Sequence, residues 1–199
     1  MIIGPDFIWL HVPKCAGTAL ERALNVSFKE RSDIHFDVSN QRFGPIIWHQ
    51  NIVERQEYDP NFDPAGKRII ANIRRLPHWI LSRIHFEAAR TPDHIPTREM
   101  LATGQFYNAS GTINKANGII RRFNQPEVTD WIRVENIEED AKKAFKISKI
   151  SIPRVNETSL KYIKDLSFWF TSKDLANLYA RNPDWARVEE KVYGKLLEV

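Results

Sequence analysis

Cysteine is almost absent from this chain of 199 residues, in which Cys15 is the only one. A single cysteine excludes an internal disulfide framework and a cysteine-rich zinc site. No apolar run approaches the ~20 residues that a membrane-spanning helix needs. The first residues carry neither the basic region nor the cleavage site of a secretory signal. We therefore expect a cytoplasmic protein without a membrane partner.

Internal repeats and low-complexity segments are also lacking, and 42% of the residues are hydrophobic while 27% are charged. This composition is typical of a soluble folded chain, and its length is enough to enclose a core. We expect one domain over residues 1–199. The 29 basic and 25 acidic residues give a net charge of +4, which mildly favours anionic ligands. Because the basic residues form scattered pairs rather than a stripe, we expect no nucleic-acid partner.

Strand and helix patterns alternate along the chain. Two nearly continuous apolar runs are typical of strands buried on both faces of a parallel sheet: residues 6–12 and 68–73. Weaker strand patterns lie at 34–36, 45–48 and 130–134. Helical patterns cover 16 to about 25, 77–88, the residues after Asn136, and the chain from Thr158 onward, whereas 89–111 is expected to be irregular. The order predicts an α/β fold with a parallel sheet flanked by helices and a helical C-terminal part.

The turn after the first strand has features of a phosphate site. Residues 13–18 lead into a helix, whose first N–H groups lack intrahelical partners and lie at the positive end of the helix dipole. Lys14 adds a cation, Gly17 permits a close approach of the backbone, and Thr18 offers a hydroxyl. An ordinary turn with a surface lysine has the same pattern, so both interpretations stay open on these residues alone.

Two common phosphate-binding loops are excluded, one anywhere in the sequence and one at this turn. A Walker A loop needs Gly-x4-Gly-Lys-Ser/Thr, and neither Gly66-Lys67 nor Gly194-Lys195 fits that pattern. A cysteine-phosphatase loop would place arginine six residues after Cys15, where Glu21 stands. The first absence argues against a P-loop-like kinase that uses ATP.

Residues 7–20, FIWLHVPKCAGTAL, resemble the 5′-phosphosulfate loop of the sulfotransferases that use 3′-phosphoadenosine 5′-phosphosulfate (PAPS). In that family an apolar strand precedes Pro-Lys-x-Gly-Gly-Thr and a helix; here Ala16 stands at the first glycine. The resemblance implies a P-loop-NTPase-like sulfotransferase fold in which Lys14 is catalytic. It also implies a donor-binding set: Lys14, Cys15, Ala16, Gly17, Thr18 and Ala19.

A second segment is similar to the family's 3′-phosphate motif, in which a strand precedes an arginine and the next helix carries a serine. The strand is 69–73, and it is followed by Arg74 and, eight residues later, by Ser82. The resemblance implies that Arg74 and Ser82 bind the 3′-phosphate of PAPS.

This motif departs from the family's frequent form, Arg-Asp-Pro-x-x-Arg-x-x-Ser. Arg75 replaces the acid, Pro77 comes one place later, and Trp79 replaces the second arginine. Residues 131–140 resemble the family's late strand and helix. Residues 153–158 resemble the Pro-x-x-Asn-x-Ser/Thr stretch of the carbohydrate-type branch.

The general base is predicted to be His49. It follows the strand pattern at 45–48, at a place where parallel α/β sheets hold their sites, and imidazole suits proton transfer near neutral pH. Carbohydrate-type relatives carry a histidine after a comparable strand. Glu54 and Glu57 are the alternatives, followed by His11.

The residues and the resemblance together predict a sulfotransferase that moves a sulfuryl group from PAPS to an acceptor hydroxyl of a small molecule or glycan. No metal is expected, because lysine and amide dipoles supply positive charge. Trp48 and Trp79 are candidates for stacking on a sugar, although tryptophan in an apolar context more often belongs to the core. Two alternatives remain: a non-catalytic module that binds a nucleotide or sulfated glycan, and a P-loop-like kinase.

Overall fold

The computed structural model describes residues 1–37, 47–91, 93, 95–155 and 161–198. Contacts divide the chain into two compact units. The first contains Met1–Ile73 and Arg122–Asn156, and the second contains Arg74–Arg121 and Glu157–Val199. One domain over residues 1–199 stays a prediction.

The described residues alternate between strands and helices, as the sequence predicted. The strands are β1 (Ile2–Ile3), β2 (Phe7–Leu10), β3 (His35–Phe36), β4 (Arg68–Ile73), β5 (Gln105–Tyr107), β6 (Ile113–Lys115) and β7 (Asp130–Arg133). The helices are α1 (Gly17–Ser27), α2 (Ile52–Tyr58), α3 (Leu76–Arg90), α4 (Arg98–Thr103), α5 (Ala116–Phe123), α6 (Ile137–Phe145), α7 (Ser172–Arg181) and α8 (Pro183–Tyr193). No helix among these described segments is long and apolar enough to cross a membrane.

The sheet of the first unit has five strands in the order β3-β1-β2-β4-β7. β4 pairs in parallel with both β2 and β7, whereas β1 pairs antiparallel with β2 and β3. The α/β class is confirmed, but the sheet is mixed rather than parallel. The connection of β1 to β2 explains the difference, because Gly4–Asp6 is too short for the crossover that parallel neighbours need.

The core of the first unit lies where α1 and α6 cover the sheet. Leu20 and Leu24 of α1 are fully buried together with β-strand side chains such as Trp9 and Ile70. Phe145 of α6 makes an edge contact with the ring of Phe7, at 5.2 Å between centroids. The apolar pattern that predicted buried strands therefore corresponds to this core.

The second unit combines helices with the hairpin of β5 and β6. Trp79 of α3 is fully buried, and its ring lies 4.7 Å from that of Trp185 and 5.4 Å from that of Phe106. Trp79 is thus a core residue, and its ring offers no exposed face to a sugar.

Three secondary-structure predictions need correction. The stretch 89–111 is not wholly irregular, since it contains α4 and β5; Thr97 caps the start of α4, and Gly104, with φ 71°, ends it. The weak strand at 45–48 is not observed, because Ile47–His49 is a 3-10 helix, and residues 45 and 46 lie outside the described part. The helical pattern from Thr158 is observed only from Leu166–Phe168, a 3-10 helix, through α7 and α8; residues 161–165 are not helical, and Asn156–Leu160 lie outside the described residues.

Candidate functional site

The loop between β2 and α1 has a backbone that turns twice through the left-handed region. Lys14 has φ 65° and Ala16 has φ 59°, values that side-chain-bearing residues rarely adopt. Ala16 is the N-cap of α1 and provides no side-chain hydrogen bond, and the first turn of the helix contains no acidic residue. The start of α1 therefore has neither a capping side chain at Ala16 nor an acidic residue in its first turn, and its positive dipole end is of the kind that attracts an anion.

Asn72 attaches this loop to the middle of the sheet. It is fully buried in β4, where its Oδ1 accepts a hydrogen bond from the Trp9 indole at 2.9 Å. Its Nδ2 donates to the Cys15 carbonyl at 2.8 Å. The sequence analysis missed Asn72, although a single amide inside the apolar run 69–73 was a visible signal.

Gly17 and His11 form a tight contact within the same loop. A Cβ on Gly17 would lie 2.0 Å from Cδ2 and 2.1 Å from Nε2 of His11. Glycine is therefore required by the packing of the imidazole. The sequence predicted a different reason for this glycine, a close approach of the backbone to a ligand.

His49 is attached to this strand and loop by its own imidazole. Its Nδ1 lies 2.8 Å from the His11 carbonyl oxygen, and because a carbonyl only accepts, Nδ1 carries the hydrogen. The neutral ring then has Nε2 as its basic nitrogen. The two imidazole rings lie 4.6 Å apart.

A buried ion pair holds the 3-10 helix that carries His49. Arg55 pairs with Asp37 through both carboxylate oxygens and also donates to the Ile47 carbonyl and the Gln50 side chain. Burial alone would raise the pKa of Asp37, but the hydrogen bonds from Arg55 and the N-terminal amine lower it below the usual value. The segment before and after His49 is thereby fixed to α2.

Arg122 holds His49 from another direction. Its Nη2 donates to the His49 carbonyl at 2.9 Å, and its guanidinium forms a two-point ion pair with Glu54 at 2.6 and 2.7 Å. Those hydrogen bonds lower the pKa of Glu54, which makes this carboxylate a weaker base than an ordinary one. Glu54 thus fits a positioning role better, while Glu57 is exposed on α2. The local sequence contains no signal for this role of Arg122, which belongs to one of the scattered basic pairs.

His11 differs from His49 in its surroundings. Burial, with a further contribution from His49, lowers the pKa of His11 well below its usual value of 6.5. Its Nδ1 has no hydrogen-bond partner among the described residues and lies 3.7 Å from Glu21 Oε2. Burial raises the pKa of Glu21 in turn. His11 is therefore a neutral packing residue beside the loop.

The predicted donor-binding residues fall into both units. Lys14 to Ala19 and His49 belong to the first unit, with Cys15 fully buried and outside any disulfide. Arg74 and Ser82 belong to the second. Arg74 is half-buried and follows β4 directly, and its carbonyl accepts from the Trp185 indole at 3.2 Å; Ser82 is buried in α3.

Arg75, which stands at the acid of the resembled motif, has a structural role. It donates to Glu189 at 3.2 Å and to the Lys195 carbonyl at 2.6 Å, and it lies 4.0 Å over the Tyr193 ring. The arginine that departs from the motif is therefore held by contacts within the second unit.

No protein-family model, curated protein or solved structure matches this chain. Within the described ranges, no three His, Cys, Asp or Glu side chains cluster as metal ligands would. The fold is an α/β fold whose five-stranded mixed sheet is flanked by helices.

Ala16→Gly should stabilise the protein. Glycine adopts the left-handed backbone of residue 16 without the cost that alanine incurs, and the net gain should be ~0.5–1 kcal/mol in the free energy of unfolding. Ala19→Gly, inside α1, is the matched control and should lower the free energy of unfolding by about 1 kcal/mol. Urea denaturation measures both; a loss of stability in Ala16→Gly would contradict the strained loop.

His11→Phe should reduce the loss of folding stability that occurs as the pH falls below about 6.5. The unfolded chain protonates His11 near pH 6.5, whereas the folded protein does so only at lower pH. Stability therefore falls as the pH drops below about 6.5, by up to ~1.4 kcal/mol per pH unit from this group. Denaturation midpoints at pH 7.5, 6.5 and 5.5 test this, with the unsubstituted protein as the reference. An equally steep acid loss in His11→Phe would contradict the assignment.

Proposed function

We propose that the chain is a PAPS-dependent sulfotransferase that transfers a sulfuryl group to an acceptor hydroxyl, with a carbohydrate as the acceptor. One observation carries the proposal beyond the sequence resemblance. The predicted base, His49, is hydrogen-bonded to the carbonyl of His11, three residues before the predicted catalytic Lys14. Base and cation are thus both attached to the single strand-and-loop segment that begins α1.

The 5′ side of the donor is assigned to the loop. The amides at the start of α1 and the Thr18 hydroxyl are groups that donate hydrogen bonds to phosphate, and Ala16 provides no competing side-chain cap. Lys14 supplies the charge that stabilises the leaving phosphate as the bond to sulfur breaks. PAPS, when bound, supplies the activated sulfuryl group.

The 3′-phosphate is assigned to Arg74 and Ser82 by the motif. A guanidinium binds phosphate through two parallel hydrogen bonds, and arginine stays charged across the physiological range. The missing second arginine of the motif leaves Arg74 as the principal cation of this assignment.

His49 is assigned the proton transfer. As the acceptor oxygen bonds to sulfur, its proton passes to Nε2 of His49, and the electron pair of the broken sulfur–oxygen bond stays with adenosine 3′,5′-bisphosphate. The hydrogen bond from Nδ1 to the His11 carbonyl keeps Nε2 as the accepting nitrogen, and Arg122 holds the backbone of His49. Orientation of this kind is a large part of what such catalysis requires.

The single cysteine, Cys15, is a buried thiol outside any disulfide, which fits a reducing compartment, and we infer that the enzyme works in the cytoplasm. The sulfotransferase proposal differs from its two alternatives in the nucleotide that the protein should bind and in whether a group is transferred. A kinase would prefer ATP, and a binding module would retain a nucleotide or glycan without transfer.

Calorimetry with adenosine 3′,5′-bisphosphate, adenosine 5′-phosphate and ATP tests the donor site. The bisphosphate should bind best, and Arg74→Ala should weaken its binding by ~1.5–3 kcal/mol while changing adenosine 5′-phosphate little. Arg181→Ala, at an exposed position of the same unit, is the control. A preference for ATP, or equal losses for both adenosine ligands, would count against the proposal.

His49→Ala and His49→Gln should each lower turnover with PAPS by ~10²–10⁴-fold and leave bisphosphate affinity unchanged. Glutamine can still donate to the His11 carbonyl but cannot act as a base, so the pair separates orientation from proton transfer. A screen of sugar acceptors with radiolabelled PAPS provides the assay. Normal turnover in His49→Gln would give the catalytic role to another residue.

A further inference from the structure

A concave surface lies on the first unit, between α1, α6 and the segment that follows α6. It is a groove of about 750 Å³, which is within the usual range for ligand sites. Its lining residues are Arg22, Ala23, Val26, Ser27, Lys142, Ser148, Lys149, Ile150, Ser151 and Pro153. Nothing in the transfer reaction proposed above uses any of these residues.

The charged lining of the groove has a single sign. Arg22, Lys142 and Lys149 line it, and none of its ten lining residues is acidic. Lys142 also pairs with Glu139 at 2.8 Å. Neither Arg22 nor Lys149 forms an ion pair within the described part of the chain, and the carboxylates of Glu21, beside Arg22, and Glu138, which accepts from the Ile152 amide at 3.0 Å, lie next to the lining rather than in it. The groove therefore favours an anionic occupant.

The uncharged lining of the groove is aliphatic and hydroxylic. Val26 is 78% exposed, an unusual position for an aliphatic side chain on a helix that buries its other face. Ile150 and Pro153 add apolar surface beside it, and Ser148 and Ser151 add exposed hydroxyls. None of the ten described residues that line the groove is aromatic.

We propose that this groove docks an acidic peptide segment of a partner protein, with an aliphatic side chain of that segment on Val26. Carboxylates of the peptide would pair with Arg22 and Lys149, and serine hydroxyls would bond to its backbone. The absence of aromatic lining disfavours sugars and single-stranded nucleic acids, which are held by stacking. A planar bilayer does not fit a concave surface.

The groove is separate from the donor loop along α1. Arg22, the lining residue of α1 nearest to the loop, lies five residues after Gly17, which corresponds to about 7.5 Å at the rise of an α-helix. The docking proposal does not depend on sulfuryl transfer, and the two can fail independently.

The test uses fluorescence anisotropy of a labelled octapeptide in which glutamate and leucine alternate, at low salt. The peptide should bind saturably. Arg22→Glu with Lys149→Glu should weaken binding at least about tenfold, because like charges then face each other. Lys173→Glu with Arg181→Glu is the matched control, since it makes the same charge change at exposed positions of α7, and it should alter binding less than about twofold.

A second peptide, with serine in place of leucine, tests the aliphatic contact without changing the protein. It should bind about tenfold or more weakly than the leucine peptide, because the apolar side chain is lost. The docking proposal is overturned by absent binding, by equal effects of the two double variants, or by equal affinity for the two peptides. Tighter binding of a sulfated oligosaccharide or of anionic vesicles at the same residues would also overturn it.

Discussion

The amide of Asn72 is the contact on which the candidate site depends most. It joins β4 to the Trp9 indole of β2 and to the Cys15 carbonyl, 57 residues earlier in the chain. Because Asn72 is fully buried, its removal would leave an indole N–H and a carbonyl without partners, at roughly 1–3 kcal/mol each. The left-handed turns at Lys14 and Ala16 persist because this buried contact and the parallel pairing of β2 with β4 determine where the loop begins and ends.

His11 connects this loop to the candidate base through two different groups. Its side chain occupies the space that a Cβ on Gly17 would need, while its carbonyl accepts the hydrogen bond that sets the tautomer of His49. His11 thereby contacts both the start of α1 and the imidazole of His49, to which we assign proton transfer. The lowered pKa of His11 follows from its burial and suits this role, since a charged ring between Gly17 and His49 would be poorly solvated.

Contiguous patterns predicted much of the fold. β4 was expected at its observed bounds, Arg68–Ile73, because a strand buried on both faces reads as an unbroken apolar run. β1 was missed, since two residues carry no periodicity, and its antiparallel pairing makes the sheet mixed. Residues 14–19 were found as a motif, but the support of the site comes from distant residues. Arg122, which holds His49, lies 73 residues away from it, and no local pattern encodes such a contact.

The departures at Arg75 and Trp79 also follow from distant contacts, here within the second unit. The resembled motif has an acid directly before its helix, where negative charge is stabilised by the helix dipole. In this chain the carboxylate comes from Glu189 of α8, whose Oε2 accepts from the Leu76 amide at the start of α3 at 2.7 Å. Arg75 pairs with that same carboxylate, and the Tyr179 hydroxyl donates to it at 2.7 Å. A carboxylate therefore still accepts a hydrogen bond from the start of α3, but it belongs to α8 and not to the residue that precedes the helix. Trp79 fills core space at the position where the motif has an arginine.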